Sequence, residues 1–244
     1  EMAYDTMIYP VKSITIVEVM GRDSGWLTAA AALARTNEIN APQLIYLPEV
    51  PFSIENCIAD TRSLLKERNS VLIAVSEGVK DANGDYISAA DAKKDKFGHA
   101  MLSGAGKALE HILGQALGVK IRSVELNIPQ RCAAHLASKT DLDEAFGLAG
   151  AGVDLAEEKK TGLMATMVRE SGDDYRISYG SVPVSEVANG VKSVPRDFIN
   201  ERGNDVTDKM VKYLKPLIQG EVEVPFNEGL PDFIPIPHLQ ENAD

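Results

Sequence analysis

The sequence has 244 residues, enough chain for one large domain or two smaller lobes with a sizeable hydrophobic core. Its 25 basic and 36 acidic side chains give a formal net charge of −11, which argues against nucleic acid or an anionic membrane as a partner. The hydrophobic share of 44% is typical of a globular domain, and aromatic residues at 6% are too scarce for a base-stacking surface.

The cysteines and the apolar stretches indicate the cellular compartment of the protein. Cys57 and Cys132 lie far apart, so neither a zinc site nor a disulfide scaffold is indicated, and we expect a cytoplasmic protein. No secretion signal is recognisable, and the densest apolar stretch, residues 26–34, is far shorter than the ~20 residues that span a bilayer. The four histidines show no metal-ligand spacing, so we predict no metal site in this chain.

Strand-like and helix-like segments alternate along the first half of the sequence. Apolar β-branched runs predict strands, and runs rich in alanine and leucine predict helices. In chain order the predicted elements are strand 13–19, helix 25–38, strand 43–47, helix 54–68, strand 71–76, a polar loop over 77–96, helix 99–117 and strand 120–126. Strands separated by such helices imply crossover connections, so we predict an α/β fold of three layers, with helices on both faces of a mostly parallel sheet.

The pattern changes after residue 126. We predict a helix over 140–160, two strands over 162–170 and 175–179 joined by a Ser-Gly-Asp-Asp turn, and a helix over 206–218. Closely spaced prolines from residue 221 onwards indicate an irregular tail. The glycine-containing segment 103–107 does not fit a Walker A motif, so we interpret it as the interior of a helix.

The segment Met20-Gly21-Arg22-Asp23-Ser24-Gly25 connects the first predicted strand to the first predicted helix. In open α/β sheets, ligands bind at the carboxyl ends of the strands. Gly21 and Gly25 permit close backbone approach, the helix start offers N–H groups, and Arg22 offers a planar pair of donors for a phosphate. The alternative is a structural turn in which Ser24 caps the helix and Arg22 is solvated.

Two further strand ends carry polar residues. Glu77 follows strand 71–76, where a carboxylate can accept hydrogen bonds from the hydroxyls of a polyol. Arg122 lies in strand 120–126, and Arg131 follows that strand in a loop stiffened by Pro129. Arginines that converge in an acidic protein indicate a small anionic ligand. Solvated surface charges are the alternative for Glu77 and Arg122.

These segments together resemble the phosphofructokinase family. Residues 16–27 (Ile-Val-Glu-Val-Met-Gly-Arg-Asp-Ser-Gly-Trp-Leu) resemble its sugar-phosphate signature, and residues 47–52 and 73–78 continue the resemblance in order. Arg122 and Arg131 have the nine-residue separation of two family arginines. Segment 127–135 looks more like the pyrophosphate-using branch than the ATP-using branch, which usually has Gly-His before Gln-Arg and two glycines after it.

The resemblance implies a binding site for fructose 6-phosphate. The positions that match the family's substrate-binding motifs are Met20, Gly21, Arg22, Glu77, Ile128, Gln130 and Arg131. Only the backbone of Ile128 is expected to line the pocket, because the ATP-using branch has a histidine there. Arg122 matches an arginine that is contributed to the neighbouring subunit's site, so a homo-oligomer is implied.

The resemblance also implies that part of the enzyme is missing. The family's glycine-rich donor loops and its Thr-x-Asp-Asn-Asp-like loop with the general base lie many tens of residues before the Met-Gly-Arg motif, whereas 19 residues precede Met20 here. Phosphoryl transfer needs such a base and magnesium. We therefore expect the C-terminal part of a glycolytic enzyme that transfers a phosphoryl group from pyrophosphate, or less favourably ATP, to the 1-hydroxyl of fructose 6-phosphate.

This interpretation divides the chain into three segments. We expect a sugar-phosphate lobe over 1–131, a segment over 132–220 that returns towards the donor-side lobe, and the tail over 221–244. The chain would hold no catalytic residue, would leave Mg²⁺ and the donor to the missing part, and would be inactive alone. The alternatives are a stand-alone, non-catalytic sugar-phosphate-binding or regulatory module, and an unrelated α/β domain with a structural turn.

Overall fold

The computed structural model describes residues 1–87, 104–172 and 174–232. Its main sheet has four parallel strands in the lateral order β2-β3-β1-β4. These strands are β1 (Ser13–Val19), β2 (Leu44–Tyr46), β3 (Ser70–Ser76) and β4 (Lys120–Glu125). A separate antiparallel hairpin follows, formed by β5 (Leu163–Arg169) and β6 (Ile177–Pro183). In the tail, β7 (Phe226–Asn227) pairs with β8 (Leu230–Pro231).

Eight α-helices lie among the described residues. They are α1 (Met2–Met7), α2 (Trp26–Ala30), α3 (Ile54–Glu67), α4 (Ala105–Leu117), α5 (Asn127–Cys132), α6 (Lys139–Glu157), α7 (Val184–Val187) and α8 (Asp208–Leu214). Short 3₁₀ turns span Ala31–Ala34, Ala134–Leu136, Arg196–Phe198 and Lys215–Ile218. In the part of the chain that the structure describes, no helix combines the length and the apolar character needed to cross a membrane.

One face of the sheet packs against α3 and α4. Successive strand side chains point to opposite faces, so Ile14 and Ile16 of β1 and Ile73 of β3 share this face. They form one buried cluster with Leu109 and Leu113 of α4. Burying each of these five side chains stabilises the fold by about 1.5–3 kcal/mol. The two strands that contribute to this cluster, β1 and β3, are the central strands of the sheet.

The opposite face of the sheet is covered by residues from much later in the chain. Ile45 of β2 and Ala74 of β3 share a buried cluster with Phe198, Met210 and Leu214. Helices thus cover both faces, and the predicted three-layer α/β fold is confirmed.

The long helix α6 and the hairpin β5–β6 are packed differently from the sheet. None of their residues is buried. Large apolar side chains remain exposed on them, including Phe146 at 84%, Val153 at 57% and Val168 at 52%. Because α6 contacts both strands of the hairpin, we call the surface of α6, β5 and β6 the α6–hairpin face.

The predicted helix over 25–38 is wrong in its length. The α-helix ends at Ala30 and a 3₁₀ turn ends at Ala34. The Thr36 hydroxyl then accepts hydrogen bonds from the N–H groups of Glu38 and Ile39, at 3.3 and 3.0 Å. Such a local side-chain bond offers the backbone an alternative to helix, and it ends this one.

Two further predictions about local structure are wrong. Segment 127–131 is not a loop but most of α5, in which Pro129 occupies the third position and loses no helical hydrogen bond. The glycines of segment 103–107 begin a helix rather than lie inside one, because Gly104 has a left-handed φ of +96° and α4 starts at Ala105.

Other boundaries are closer to the prediction. The second hairpin strand spans Ile177–Pro183 rather than 175–179, and α1 has no counterpart in the sequence-based prediction. Ser103, the predicted helix start at His99, residues 88–96 of the predicted loop and the tail beyond residue 232 lie outside the described residues.

Two glycines, one inside α4 and one directly after it, test the extent of this helix. Gly114→Ala should raise the free energy of unfolding by about 0.5–1 kcal/mol, because glycine is a poor helix former and an added Cβ meets no neighbouring atom within 4 Å. Gly118→Ala should lower it by about 1 kcal/mol, because Gly118 ends the helix with a φ of +62°. Chemical denaturation measures both, and shifts of the same sign would contradict the position of the helix end.

Candidate functional site

The loop over residues 20–25 lies at the carboxyl edge of the sheet, between two neighbouring strand ends. Parallel register pairs Val19 of β1 with Ser76 of β3, and Glu18 of β1 with Glu125 of β4. The residues that follow these strands are therefore close to the loop. This is the edge at which open α/β sheets bind ligands.

Side chains from both neighbours hold the start of the loop. The Met20 N–H donates to Gln130 Oε1 at 2.9 Å, and the Gly21 N–H donates to Glu77 Oε1 at 3.2 Å. The Ser76 hydroxyl donates to the Gly21 carbonyl oxygen. Bonds of this kind to a carboxylate contribute about 1.5–3 kcal/mol, and those between neutral groups about 1 kcal/mol. The loop backbone is therefore fixed from two sides.

A third strand end holds the other end of the loop. The Gly25 N–H donates to Glu49 Oε1 at 2.9 Å, and Glu49 follows β2. The same Oε1 atom accepts the N–H of Val194 at 2.8 Å. Glu49 therefore connects the loop to a segment that lies 145 residues later in the chain.

Glycine is required where the loop meets its neighbours. A Cβ on Gly78 would lie 1.7 Å from the Arg22 carbonyl oxygen, so the backbones after β1 and β3 are in direct contact. A Cβ on Gly21 would lie 2.7 Å from the Ser24 carbonyl oxygen, and Gly21 has a φ of +155°. No other residue type fits these positions without a shift of the backbone.

The two predicted phosphate ligands differ in their surroundings. Arg22 is half-buried, and its Nε is buried without a hydrogen-bond partner among the described residues. Arg131 is exposed on α5, next to Gln130, whose side chain reaches the Met20 amide. Within the described residues, the Arg131 guanidinium has neither a hydrogen bond nor an ion pair.

Of the remaining predicted site residues, one lies near the loop and one does not. Ile128 lies on α5 near the loop and is 61% exposed. Arg122 is the third residue of β4, is paired with Thr15 and is exposed. It lies three residues before the end of the strand, about 10 Å from that edge of the sheet, so the structure does not bring Arg122 to the loop. The site on a neighbouring subunit stays a prediction for this residue.

Two sequence-based expectations about the helix start need correction. The residue that precedes α2 is Gly25, and no side chain caps the helix, so the alternative in which Ser24 is the N-cap is wrong. The N–H groups of Met20, Gly21 and Gly25 already have side-chain partners. A ligand must therefore be held mainly by side chains and by the other loop amides.

Glu18, near the end of β1, connects the strand that precedes the loop to α4. The side chain is buried, and its carboxylate accepts the N–H groups of Gly104 at 3.1 Å and Gly106 at 2.7 Å, which joins β1 to the start of α4. Burial raises the pKa of Glu18 above its ordinary value, although the two amides act in the opposite direction. Nearby Glu125 and Glu77 raise that pKa further. The role of Glu18 is to fix the helix on the strand.

The structure gives several residues a role in supporting the loop that the sequence-based prediction does not contain. Glu49 is one of them, although it follows a predicted strand just as Glu77 does, and that position was the available signal. Gln130 Oε1 accepts a loop amide, and the role of this residue in substrate binding stays a prediction. No local pattern points to Lys192, whose carbonyl oxygen accepts the Ser24 hydroxyl at 3.0 Å and the Trp26 indole N–H at 2.7 Å.

The described residues offer no metal site. No group of three or more histidine, cysteine, aspartate or glutamate side chains lies together within residues 1–87, 104–172 and 174–232. His99 and His238 lie outside those ranges.

Comparison with known proteins identifies the family. The phosphofructokinase family model matches residues 4–125. The chain belongs to the phosphofructokinase family. It is 38% identical over 218 residues to a pyrophosphate–fructose 6-phosphate 1-phosphotransferase of Halomonas elongata, a match that covers 89% of this chain and 52% of that protein. A protein of the same name from Methylococcus capsulatus is 34% identical, with 91% and 52% covered.

A solved structure gives the same result. The pyrophosphate-dependent phosphofructokinase of Nitrosospira multiformis superposes with a TM-score of 0.81 at 33% identity, over 96% of this chain and 55% of that one. The resemblance to the pyrophosphate-using branch is thereby confirmed. The chain spans about half the length of the curated relatives it matches.

Gly78→Ala tests the contact between the two loops. The added Cβ overlaps the Arg22 carbonyl, so we expect the free energy of unfolding to fall by about 2–4 kcal/mol and the fluorescence of Trp26, the single tryptophan, to change. Gly150→Ala is the matched control, because an added Cβ there meets nothing within 4 Å. Similar denaturation curves for both variants would show that the loops are not in contact.

Proposed function

We propose that this chain carries the fructose 6-phosphate site of a phosphofructokinase that uses pyrophosphate, or less favourably ATP, as phosphoryl donor in cytoplasmic glycolysis. The names of its relatives support the substrate and the donor. The observation that carries the proposal is the buried Nε of Arg22, a donor without a partner among the described residues, on a loop whose backbone is otherwise held in place.

The proposed roles follow from the remaining hydrogen-bonding capacity of the site. Arg22 and Arg131 bind the phosphate of the sugar, since guanidinium groups pair with phosphate through two parallel hydrogen bonds. Glu77 uses Oε1 for the Gly21 amide, which leaves lone pairs for a sugar hydroxyl. Gln130 acts by holding Met20.

In the proposed reaction, the 1-hydroxyl oxygen of fructose 6-phosphate attacks a phosphorus of pyrophosphate. The new bond joins that oxygen to the phosphoryl group, inorganic phosphate leaves, and a base takes the hydroxyl proton. We assign the base, the donor site and Mg²⁺, which neutralises charge on the transferring group, to the part of the enzyme beyond this chain. The residues of this chain orient the sugar.

The α6–hairpin face supports a contact with that other part. Several of its large apolar side chains are exposed, among them Phe146 and Val168. Exposed apolar patches on folded proteins commonly mark interaction sites. We therefore propose that α6, β5 and β6 pack against the donor-side lobe. Residues 194–214, which also fall within the predicted segment 132–220, instead pack on the sheet of the sugar-phosphate lobe. Exposed Arg122 is available to a neighbouring subunit of a homo-oligomer.

The alternative is a module that binds the sugar phosphate and has no catalytic role. Both possibilities use the same loop and the same arginines. They differ in whether a donor-side lobe accompanies the chain, so the α6–hairpin face favours the enzyme.

Titration calorimetry with fructose 6-phosphate tests the site. Arg22→Ala and Arg131→Ala should each weaken binding about 10- to 100-fold, because each removes hydrogen bonds to a charged phosphate. Arg62→Ala is the control, since Arg62 is exposed on α3 far along the sheet from the loop. Equal affinity for all four proteins would refute the assignment.

A turnover assay tests whether the base and the donor site lie outside this chain. The chain alone, supplied with fructose 6-phosphate, pyrophosphate and Mg²⁺, should form no fructose 1,6-bisphosphate above the uncatalysed rate. A full-length relative such as the Halomonas elongata protein is the positive control for the coupled assay. Sustained turnover by the chain alone would show that the base and donor site lie within these residues.

A further inference from the structure

Glu49 does not lie among the residues assigned to the sugar phosphate, yet it joins three parts of the molecule. It follows β2, and its Oε1 atom accepts the N–H groups of Gly25 and Val194 at 2.9 and 2.8 Å. A Cβ on Gly25 would lie 2.7 Å from Glu49 Oε2, so the carboxylate lies tightly against the end of the loop.

The later segment is itself bound to the loop. The Lys192 carbonyl oxygen accepts both the Ser24 hydroxyl and the Trp26 indole N–H. The indole ring lies 6.1 Å from the ring of Phe198 and 5.5 Å from that of Tyr213. The Lys192 backbone and two later aromatic side chains therefore hold the end of the loop and the start of α2.

We propose that Glu49 is a positioning residue for sugar-phosphate binding, which acts by joining the end of the loop at Gly25 to the segment over 192–194. This inference rests on the proposed function. Without Glu49 Oε1, two amides lose their acceptor and the loop loses its connection to the segment. Arg22, three residues before Gly25, would then be held less closely in its ligand-binding position.

Two substitutions of Glu49 distinguish the effect of its charge from the effect of its side-chain length. Oε2 is buried and has no partner among the described residues, so an amide nitrogen in its place removes no hydrogen bond. Glu49→Gln thus keeps the acceptor and removes the charge. Glu49→Asp keeps the charge and withdraws the acceptor by one methylene. Glu55→Gln, at an exposed carboxylate in the first turn of α3, is the control.

Two readouts decide the test on the full chain, with circular dichroism to confirm folding. For Glu49→Asp we expect the dissociation constant for fructose 6-phosphate to rise about tenfold, and acrylamide quenching of Trp26, the single tryptophan, to increase about twofold. For Glu49→Gln, which keeps the acceptor without its charge, the dissociation constant should stay within about threefold of the unmodified chain, and the rise in Trp26 quenching should stay well below that of Glu49→Asp.

The proposal is overturned if Glu49→Asp leaves both values unchanged, if Glu49→Gln loses as much as Glu49→Asp, or if Glu49→Asp fails to fold, which would indicate a general structural role. Failure of the proposed function looks different. In that case the unmodified chain does not bind fructose 6-phosphate, and Trp26 quenching alone then decides whether Glu49 positions the loop.

Discussion

The candidate site depends on one constraint, which is that the backbone amides of a loop at the sheet edge must be satisfied. Met20, Gly21 and Gly25 donate to side chains that come from α5, the end of β3 and the end of β2. An amide left without an acceptor at a partly buried position costs about 1–3 kcal/mol. The three side chains therefore determine the shape of the loop, and the glycines allow the neighbouring backbones to approach.

This arrangement changes how an anion can be bound. A glycine-rich turn before a helix is often read as a cradle of free amides, but α2 has five residues and three of the loop amides are occupied. Guanidinium groups on fixed supports are the remaining strong donors, with Arg22 on the loop itself and Arg131 on α5. The loop then serves to hold Arg22 in place.

Much of the fold could be predicted from the sequence. The predicted limits of strand β1 agree with the structure, because a short run rich in β-branched residues favours a strand and the glycine at position 21 follows its end. Helix α2 was predicted too long, because the Thr36 hydroxyl bond that replaces helix is a matter of local geometry. In α5, Pro129 suggested a loop although the first turn of a helix accepts proline equally well.

Only those site residues that directly follow a predicted strand could be predicted from the sequence. Glu77 was found in this way, whereas Glu49 and Lys192 act through contacts that span 24 to 168 residues of chain. Such pairs have no sequence pattern, because they depend on how the later segment packs on the sheet. The same packing explains why residues 194–214 belong structurally with the sheet even though α6 and the hairpin intervene.

Amide hydrogen exchange measured by NMR on the chain without ligand examines the loop itself. If side-chain acceptors hold the backbone, the amides of Met20, Gly21 and Gly25 exchange at least tenfold more slowly than the Asp23 amide, which has no partner among the described residues. Equal and rapid exchange at all four positions would mean that the loop is not held in this way, and the proposed basis for placing Arg22 would be wrong.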